Sequence, residues 1–247
     1  MSTYAATDLH GMYGLWRQIK EYMKPDDTLY YLGDAIDRGP RGWDVFTELL
    51  DDPRVIFIKG NHEDMMYNTL TAPYVVAEKY LKHWDANGGR ATRENMKNVS
   101  YEICMKYIDK IPEMPTFRMY QNEQHQVFLL THAGCTPTKE YWDMNVIEWQ
   151  YSNLWNRKHF HEPWPQDKNN EHKKVIHGHT PVQNMQYFGG FNFERNENGM
   201  PVIYCDGHKV NLDSGAFSTN IATLYNLDTD CIEMIFRGDF EDECFDE

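Results

Sequence analysis

The segment Tyr30–Gly42, YYLGDAIDRGPRG, joins the end of an apolar strand pattern to a cluster of charged residues. Residues Thr28–Leu32 are mostly apolar and aromatic, which predicts a buried β-strand. Asp34, Asp37 and Arg38 follow directly, beside glycines. Because binding sites of α/β proteins lie at the carboxyl ends of the strands, this arrangement predicts a functional site there. It also requires an explanation for two carboxylates placed so close together.

The first 63 residues alternate between strand and helix patterns, which is typical of an α/β fold. Strands are predicted at Thr3–Thr7, Thr28–Leu32 and Val55–Ile58. Helices are predicted at about Tyr13–Met23 and Trp43–Leu50, where apolar residues recur at helical spacing. Each strand is followed by a polar cluster that contains glycine, so we expect the clusters to meet at one edge of a sheet.

The region from residue 64 to about residue 115 differs, since it is mostly helical in pattern and rich in methionine and aromatic residues. We predict a helical insertion here and interpret its apolar stripes as helix core rather than as a cofactor site. Strand patterns return at Gln126–Thr131, Lys174–Ile176, Val202–Cys205 and Ala222–Leu227, with Asp206-Gly207 as a turn signal. We expect residues 1–247 to form one domain, with an acidic tail at about residues 239–247.

The composition limits the classes of partner. A net charge of −14 argues against a general nucleic-acid-binding protein and against docking on anionic lipid. The five cysteines are widely spaced and form no Cys-x-x-Cys pair, so neither a zinc knuckle nor a disulfide framework is indicated. No apolar run is long enough for a membrane span, and no leader pattern precedes the first strand. We therefore expect a cytoplasmic protein without a nucleic-acid or membrane partner, of an oligomeric state that the sequence does not indicate.

The polar residues that follow the predicted strands have the chemistry of metal ligands. They are Asp8, His10, Asp34, Asp37, Asn61, His62, His132 and His179. Carboxylate, imidazole and amide groups together suit a divalent ion such as Mn²⁺, Fe²⁺ or Zn²⁺. Two adjacent carboxylates repel each other unless a cation lies between them, and an aspartate that bridges two ions removes that repulsion. Such a pair of ions activates water for in-line attack on phosphorus, and the Arg38 guanidinium fits phosphate oxygens.

Each cluster has a simpler explanation when it is considered alone. Asp34 and Asp37 are compatible with a turn held by side-chain hydrogen bonds, and His132 is compatible with a core histidine. A single Asp-x-His is more often a surface feature than a metal site. Five such clusters, each directly after a predicted strand, are poorly explained by independent coincidences, so we predict one shared site.

In their order along the chain, the motifs resemble those of the calcineurin-like metallophosphoesterases. They are Asp8-Leu-His10-Gly11, Gly33-Asp34-Ala-Ile-Asp37-Arg38-Gly39, Gly60-Asn61-His62-Glu63, His132-Ala-Gly134 and Gly178-His179-Thr180. The Asp-Arg-Gly after Gly-Asp is similar to the phosphoprotein phosphatase branch, which includes bacterial and phage Ser/Thr phosphatases and diadenosine tetraphosphate hydrolases. The resemblance spans residues 8 to 180, with a weaker similarity at Asn211-Leu-Asp213-Ser-Gly215. One departure is Thr7, where the family motif commonly begins with glycine.

The resemblance implies a fold and a metal centre. The fold is a four-layer α/β/β/α sandwich of two mixed sheets. Asp8 and His10 would hold a first divalent ion, and Asp34 would bridge it to a second ion. The ligands of that second ion would be Asn61, His132 and His179. Manganese is the ion expected to support activity in vitro, with iron or zinc as alternatives.

The resemblance also implies catalytic and substrate-binding roles. His62 would protonate the leaving oxygen, and Asp37 would orient His62. Arg38 and Asn61 would contact the phosphate. Arg157, in Leu154-Trp155-Asn156-Arg157, resembles a second phosphate-binding arginine of the family.

The remaining candidates are expected to play supporting parts. His177 precedes the Gly178-His179 motif and is expected to support the site rather than to bind metal. Asp213 is expected to be a turn residue. Four further histidines lie in polar stretches and are expected to be solvated: His159, His161, His172 and His208.

Three functional hypotheses follow from these observations. The first is a dinuclear-metal phosphatase of phosphomonoesters, with phosphoserine and phosphothreonine as expected substrates. The second is a hydrolase of dinucleoside polyphosphates, which the aromatic loop Trp155–Trp164 would favour if its rings stack on a base. The third is an inactive scaffold that binds phosphorylated partners, and the presence of His62, Asp37 and Arg38 argues against it.

Overall fold

The computed structural model describes residues 1–166, 168–185, 193–195, 201–205 and 207–238. The predicted acidic tail at residues 239–247 and the Asp206 position of the predicted turn lie outside the described residues. Over the first 60 residues, strands and helices alternate as the periodicity predicts.

The secondary structure comprises strands and mostly short helices. The strands are β1 (Thr3–Ala6), β2 (Thr28–Tyr31), β3 (Val55–Phe57), β4 (Phe117–Gln121), β5 (Val127–Thr131), β6 (Lys173–His177), β7 (Phe193–Arg195), β8 (Pro201–Cys205), β9 (Lys209–Asn211), β10 (Ile221–Asn226) and β11 (Cys231–Arg237). The helices are α1 (Tyr13–Tyr22), α2 (Gly42–Asp51), α3 (Asn61–Leu70), α4 (Tyr74–Ala86), α5 (Gly89–Met96), α6 (Tyr101–Ile108), α7 (Lys139–Asp143), α8 (Val146–Trp155), α9 (Val182–Met185) and α10 (Ala216–Thr219). Among the described residues, no helix combines the length and the apolar character that a membrane span requires.

The described strands form two mixed sheets. Sheet 1 has the order β11-β10-β1-β2-β3, in which β1, β2 and β3 are parallel and β10 is antiparallel to β1. Sheet 2 has the order β4-β5-β6-β9-β8-β7, in which β5, β6 and β9 are parallel. Tyr31 pairs with Ala6 on one side and with Phe57 on the other, so the carboxyl ends of β1, β2 and β3 are level.

The side-chain alternation of β2 shows how the layers are built. Successive side chains of a strand point to opposite faces of the sheet. Leu29 and Tyr31 pack into the core that joins sheet 1 to the helices, whereas Leu32, just past the strand, packs into the core between the two sheets. Phe128 and Leu130 of β5 enter that same central core from sheet 2.

A further core covers the outer face of sheet 2. Leu129 of β5 and Val175 of β6 pack there against Tyr141 of α7 and against Trp164. The layers are therefore helices, sheet 1, sheet 2 and helices. The predicted α/β sandwich of two mixed sheets is confirmed.

The residues between β3 and β4 are all described, and they form α3 to α6 followed by a 3-10 turn at Ile111–Glu113. Met65, Met66 and Trp84 lie in the core against sheet 1, as the interpretation of the apolar stripes requires. That interpretation is wrong for Tyr80 and Tyr101, which are 39% and 77% exposed. In α4 the buried residue is Trp84, near the C-terminal end of the helix.

Candidate metal centre

Five loops bring the predicted ligands into one buried site. These loops follow β1, β2, β3, β5 and β6, and they carry Asp8 with His10, Asp34 with Asp37, Asn61 with His62, His132, and His179. Each of these side chains is at most 5% exposed. The parallel arrangement of β1 to β3 and of β5 with β6 places the carboxyl ends at one edge of the sandwich, where the sequence predicts the site.

The loops after β1 and β2 have a left-handed backbone at several residues other than glycine. Positive φ angles occur at Asp8 (54°), His10 (45°), Asp34 (60°), Asp37 (71°) and Arg38 (66°). Backbone hydrogen bonds join the two loops, among them the one from His10 N to Asp34 O at 3.0 Å. Left-handed residues of this kind cost about 1–3 kcal/mol each and persist where the surrounding structure enforces them, which is typical of functional sites.

Gly178 lets the loop after β6 approach Asp8. A Cβ atom at this position would lie 1.9 Å from Asp8 Oδ2, so glycine is required. The approach allows the backbone N–H of His179 to donate to Asp8 Oδ2 at 2.9 Å. The same oxygen accepts a hydrogen bond from Thr7 Oγ1 at 2.5 Å, so Thr7 supplies a contact that a glycine at this position would lack.

The first ligand group consists of Asp8, His10 and Asp34. His10 Nε2 lies 3.8 Å from Asp8 Oδ1 and 3.6 Å from Asp34 Oδ2. His10 Nδ1 contacts the carbonyl oxygen of Ile36 at 2.8 Å, and a carbonyl accepts, so Nδ1 carries the proton. The Nε2 lone pair is therefore available. Asp8 Oδ1 and His10 Nε2 are buried and have no hydrogen-bond partner.

The second ligand group shares Asp34 with the first. Asp34 Oδ2 lies 3.4 Å from His132 Nε2. The Asn61 side-chain oxygen lies 2.8 Å from His132 Nε2 and 2.9 Å from His179 Nδ1. As in His10, the other ring nitrogen of His132 faces a carbonyl, that of Leu32, at 2.7 Å.

The site fits divalent cations. Ligand atoms of Asp34, His132 and His179 lie within 4.8 Å of one another, as do those of His10, Asp34 and His62. Burial raises the pKa of Asp8 to about 7, despite the opposing effect of His132. Burial alone would lower the pKa of His132, but the carboxylate of Asp34 raises it to about 10. These shifts are those of a buried group of anions that lacks positive charge, which bound cations would supply.

His62 lies beside the shared aspartate and is held by Asp37. His62 Nδ1 donates to Asp37 Oδ2 at 2.6 Å, and the backbone N–H of His62 donates to Asp34 Oδ1 at 3.0 Å. His62 Nε2 lies 3.7 Å from Asp34 Oδ2 and accepts from Arg38 Nη2 at 3.2 Å. The ring therefore directs Nε2 toward the ligand groups, in a position to exchange a proton with a molecule bound there.

The helices that follow β3 supply two partners of Asp37 that sequence reasoning missed. Trp84 Nε1 donates to Asp37 Oδ2 at 2.8 Å, and Thr92 Oγ1 donates to Asp37 Oδ1 at 2.7 Å. Trp84 is thus both a core residue and a hydrogen-bond donor to the site. The sequence offers no local signal for the hydrogen bond from Trp84 to Asp37, because an indole N–H can donate to any acceptor that the fold brings near.

Glu63, in the Gly60–Glu63 motif, holds backbone groups of the loop after β2. Its carboxylate accepts the backbone N–H groups of Gly60, Asp34 and Ala35, each at 2.9 Å. It therefore fixes the left-handed turn at Asp34 against the start of α3. A glutamate at the third helical position is a capping signal that would have identified this residue.

Arg157 lies at the rim of the site and is exposed. Its Nε donates to His179 Nε2 at 3.2 Å. The neighbouring ring of Trp155 lies 6.0 Å from the ring of His179. Trp155 also borders what we call the aromatic groove, a cavity of about 270 Å³ lined mainly by Asp64, Met65, Tyr80, His83, Tyr151 and Trp155.

The expectation that His159 is solvated is wrong. His159 is fully buried, and its Nε2 lies 3.0 Å from Nε2 of His177, which is also buried. Gly134 has no side chain to occupy the space that the His159 ring fills. Lys209 Nζ further holds this loop by donating to the His159 carbonyl oxygen.

Of the other supporting residues, some have the expected exposure and others do not. His161 and His172 are exposed, as expected, whereas His208 is half-buried and stacks on Trp164 with centroids 4.7 Å apart. Asp213 has the expected turn geometry, since its Oδ1 accepts from Gly215 N at 2.9 Å. It is also buried, at 1% exposure, although the turn interpretation alone does not predict burial.

Sequence comparison with known proteins gives the family that the motifs resemble. The calcineurin-like phosphoesterase profile matches residues 1–212. A symmetrical bis(5'-nucleosyl)-tetraphosphatase of Buchnera aphidicola is 23% identical over 152 residues, which cover 60% of this chain and 48% of that protein. A Caenorhabditis elegans sequence, named provisionally as a serine/threonine-protein phosphatase, is 27% identical over 143 residues, covering 55% of this chain and 27% of that protein. The chain thus spans about half the length, or less, of these relatives.

Solved structures share the fold. A metallophosphoesterase from Sphaerobacter thermophilus matches with a TM-score of 0.56 and 13% identity, over 97% of this chain and 88% of that chain. A serine/threonine phosphatase from Saccharomyces cerevisiae matches with a TM-score of 0.52 and 14% identity, over 97% and 80%. At these identities the structures show the fold alone, while the sequence profile covers the strand ends that carry the ligand groups. The chain belongs to the calcineurin-like phosphoesterase family.

Proposed function

We propose that the protein is a dinuclear-metal-dependent phosphatase that hydrolyses phosphomonoesters, including phosphoserine and phosphothreonine in polypeptides. The observation that carries this proposal is the carboxylate of Asp34, which belongs to two buried ligand groups at once. A shared carboxylate between two groups of nitrogen and oxygen ligands is the arrangement that a pair of cations requires. The cysteine usage, which indicates no disulfide framework, supports a cytoplasmic location as part of the same proposal.

Two divalent cations would be held by the residues described above. Asp8 and His10 would bind one, Asn61, His132 and His179 the other, and Asp34 both. When bound, such cations supply Lewis acidity toward phosphoryl oxygens and lower the pKa of water. The mixed ligand set suits Mn²⁺, which we propose for activity in vitro, and is compatible with iron or zinc.

The chain's own residues would orient the ester and move a proton. Arg38 and Arg157 border the ligand groups and present guanidinium donors that fit phosphate oxygens. Asn61, whose side-chain oxygen lies 2.9 Å from His179 Nδ1, would also contact the phosphate. His62 would give a proton from Nε2 to the leaving oxygen, while Nδ1 stays hydrogen-bonded to Asp37.

A second candidate function is the hydrolysis of dinucleoside polyphosphates. The aromatic groove favours it, because Tyr80, Tyr151 and Trp155 offer rings on which a base can stack. Charge favours the monoester instead. Among the residues that line the groove there is no lysine or arginine, and Asp64 adds a carboxylate. A polyphosphate chain would therefore gain little attraction beyond the two arginines at the site.

The deciding experiment compares substrates on one preparation. With Mn²⁺ we expect turnover of p-nitrophenyl phosphate, abolished by a chelator, and turnover of phosphoserine and phosphothreonine peptides at higher kcat/KM than diadenosine tetraphosphate. A dinucleotide kcat/KM more than tenfold above that of the best phosphopeptide would make the second candidate the function. No turnover of any of the three substrates by metal-loaded protein would leave the scaffold hypothesis.

A separate prediction concerns the orientation of His62. Replacing Trp84 by Phe keeps most of the core packing but removes the Nε1–H that donates to Asp37 at 2.8 Å. We expect turnover of phosphopeptides to fall by about three- to tenfold, which corresponds to the roughly 1 kcal/mol net value of a hydrogen bond. Metal content should be unchanged. The measurement is kcat together with the number of ions per chain.

The matched control is Trp16→Phe. Trp16 is also fully buried and also donates its Nε1–H to a carboxylate, that of Glu48 at 3.0 Å. We expect this variant to lose similar stability but no turnover. Equal activity in the two variants would show that the Trp84 hydrogen bond has no role in catalysis.

A further inference from the structure

Thr7 lies where the loops after β1 and β6 meet, beside the first ligand group. It directly precedes Asp8 and is 5% exposed. A Cβ atom at Gly178 would lie 2.5 Å from Thr7 Oγ1 and 2.6 Å from Thr7 Cγ2. The side chain of Thr7 therefore packs directly against the backbone of the loop that carries His179.

The two carboxylate oxygens of Asp8 have different surroundings. Oδ2 accepts one hydrogen bond from Thr7 Oγ1 at 2.5 Å and another from the backbone N–H of His179 at 2.9 Å. Oδ1 has no hydrogen-bond partner, and it lies 3.8 Å from His10 Nε2. Asp8 thus presents a satisfied oxygen to the loop after β6 and a free oxygen to the first ligand group.

The Thr7 hydroxyl has two acceptors within reach but only one hydrogen to donate. The second acceptor is the carbonyl oxygen of Leu32, at 3.3 Å, which already accepts from His132 Nδ1 at 2.7 Å. A hydrogen bond to a charged acceptor is shorter and stronger than one to a neutral carbonyl. Because the contact to Asp8 is also the shorter of the two, the hydroxyl hydrogen belongs to Asp8 Oδ2.

We propose that Thr7 is a positioning residue of the metal centre, whose hydroxyl holds Asp8 so that Oδ1 is the oxygen offered to the first ion. The terminal torsion of an aspartate has a broad energy minimum, so the carboxylate turns easily unless its oxygens are held. Removing the hydroxyl would leave Oδ2 with the single donor from His179. This inference rests on the metal centre of the proposed function.

A simpler role for Thr7 is to fill the space beside Gly178. The methyl carbon and the hydroxyl oxygen lie equally close to this glycine, so either atom could provide that packing. The two roles depend on different atoms and can be separated by substitution. Thr7→Val replaces the hydroxyl by a methyl group at nearly constant shape, whereas Thr7→Ser keeps the hydroxyl and removes the methyl group.

The test is the binding of Mn²⁺ to these two variants, measured by titration calorimetry and by elemental analysis after dialysis at limiting free Mn²⁺. In Thr7→Val the first-site dissociation constant should rise by about 10–100-fold, which is typical for the loss of a group that orients a metal ligand. The number of ions retained at limiting Mn²⁺ should fall from two toward one. Thr7→Ser should bind Mn²⁺ as the wild type does.

The matched control is Thr131→Val. Thr131 is fully buried and precedes the ligand His132 as Thr7 precedes Asp8, but its hydroxyl donates to the carbonyl oxygen of Asn153 at 3.2 Å. This variant should leave both Mn²⁺ dissociation constants unchanged. If Thr7→Val does not fold, Thr7→Ala and Thr7→Ser differ by the hydroxyl alone, and Thr7→Ala should bind Mn²⁺ more weakly.

The failure of this inference can be distinguished from the failure of the proposed function. Wild-type protein that binds fewer than two ions would contradict the metal centre and the proposed function with it. If the wild type binds two ions, an unchanged first-site dissociation constant in Thr7→Val would overturn the inference alone. Equal weakening in Thr7→Val and Thr7→Ser would also overturn it, because that result would assign the effect to packing rather than to the hydroxyl.

Discussion

Asp34→Asn is expected to remove metal and turnover together. The substitution keeps an oxygen that can accept the backbone N–H of His62, which Oδ1 accepts at 3.0 Å, but it removes the negative charge that both ligand groups share. Both ion sites then lose an anionic ligand at once. A bound metal pair stabilises the transition state by several kcal/mol, so its loss corresponds to a decrease in kcat of at least about 10³-fold. Ions per chain and kcat for p-nitrophenyl phosphate are the two measurements.

The control for Asp34 is Asp27→Asn. Asp27 is also buried, its carboxylate accepts the backbone N–H groups of Ser2 at 2.7 Å and Lys24 at 2.9 Å, and it lies just before β2, at the opposite end of that strand from Asp34. It should retain two ions and normal kcat. Circular dichroism should show that Asp34→Asn is folded, so that metal loss cannot be assigned to unfolding. An Asp34→Asn protein that keeps two ions and near-normal turnover would contradict the dinuclear assignment.

The site residues at the strand ends could be predicted because the sequence pattern that indicates them is local. In the loop after β2, Asp34 and Asp37 follow a strand whose apolar alternation is explicit, and parallel strands bring such loops together at one edge. The left-handed backbone at these residues was not predictable, since it is enforced by hydrogen bonds between loops such as that from His10 N to Asp34 O. Aspartate and histidine adopt that conformation more often than most residues other than glycine, but it is uncommon even for them, so the residue type alone does not predict it.

The features of the site that the sequence did not predict depend on contacts between segments far apart in the chain. Trp84 and Asp37 are 47 residues apart, and Thr92 and Asp37 are 55 apart, so no periodicity connects them. His159 lies in a polar stretch that predicts exposure, and its burial depends on the missing side chain of Gly134. Strand β9 has three residues, too few for a pattern that would reveal its pairing with β6.

His62→Asn is expected to reduce turnover by about 10²–10⁴-fold while leaving two ions bound, because that range is typical for the loss of a general acid. The geometry also allows His62 to be a metal ligand, since ligand atoms of His62, His10 and Asp34 lie within 4.8 Å of one another. Proton transfer predicts a dependence on the leaving group. The deficit should be largest for phosphoserine peptides and smaller for p-nitrophenyl phosphate, whose leaving group needs little protonation. As a control, His172→Asn changes an exposed histidine and should affect neither turnover nor the number of bound ions.

Asp37 provides the sharper test of the same role, because it reaches the site through the 2.6 Å hydrogen bond to His62 Nδ1. Asp37→Asn should lower kcat in the wild-type background and have little further effect in His62→Asn, since a residue that acts through another loses its effect when that residue is absent. Additive losses would mean that Asp37 acts independently of His62. Loss of an ion in His62→Asn, with equal deficits for all leaving groups, would identify His62 as a metal ligand and leave the proton donor unassigned.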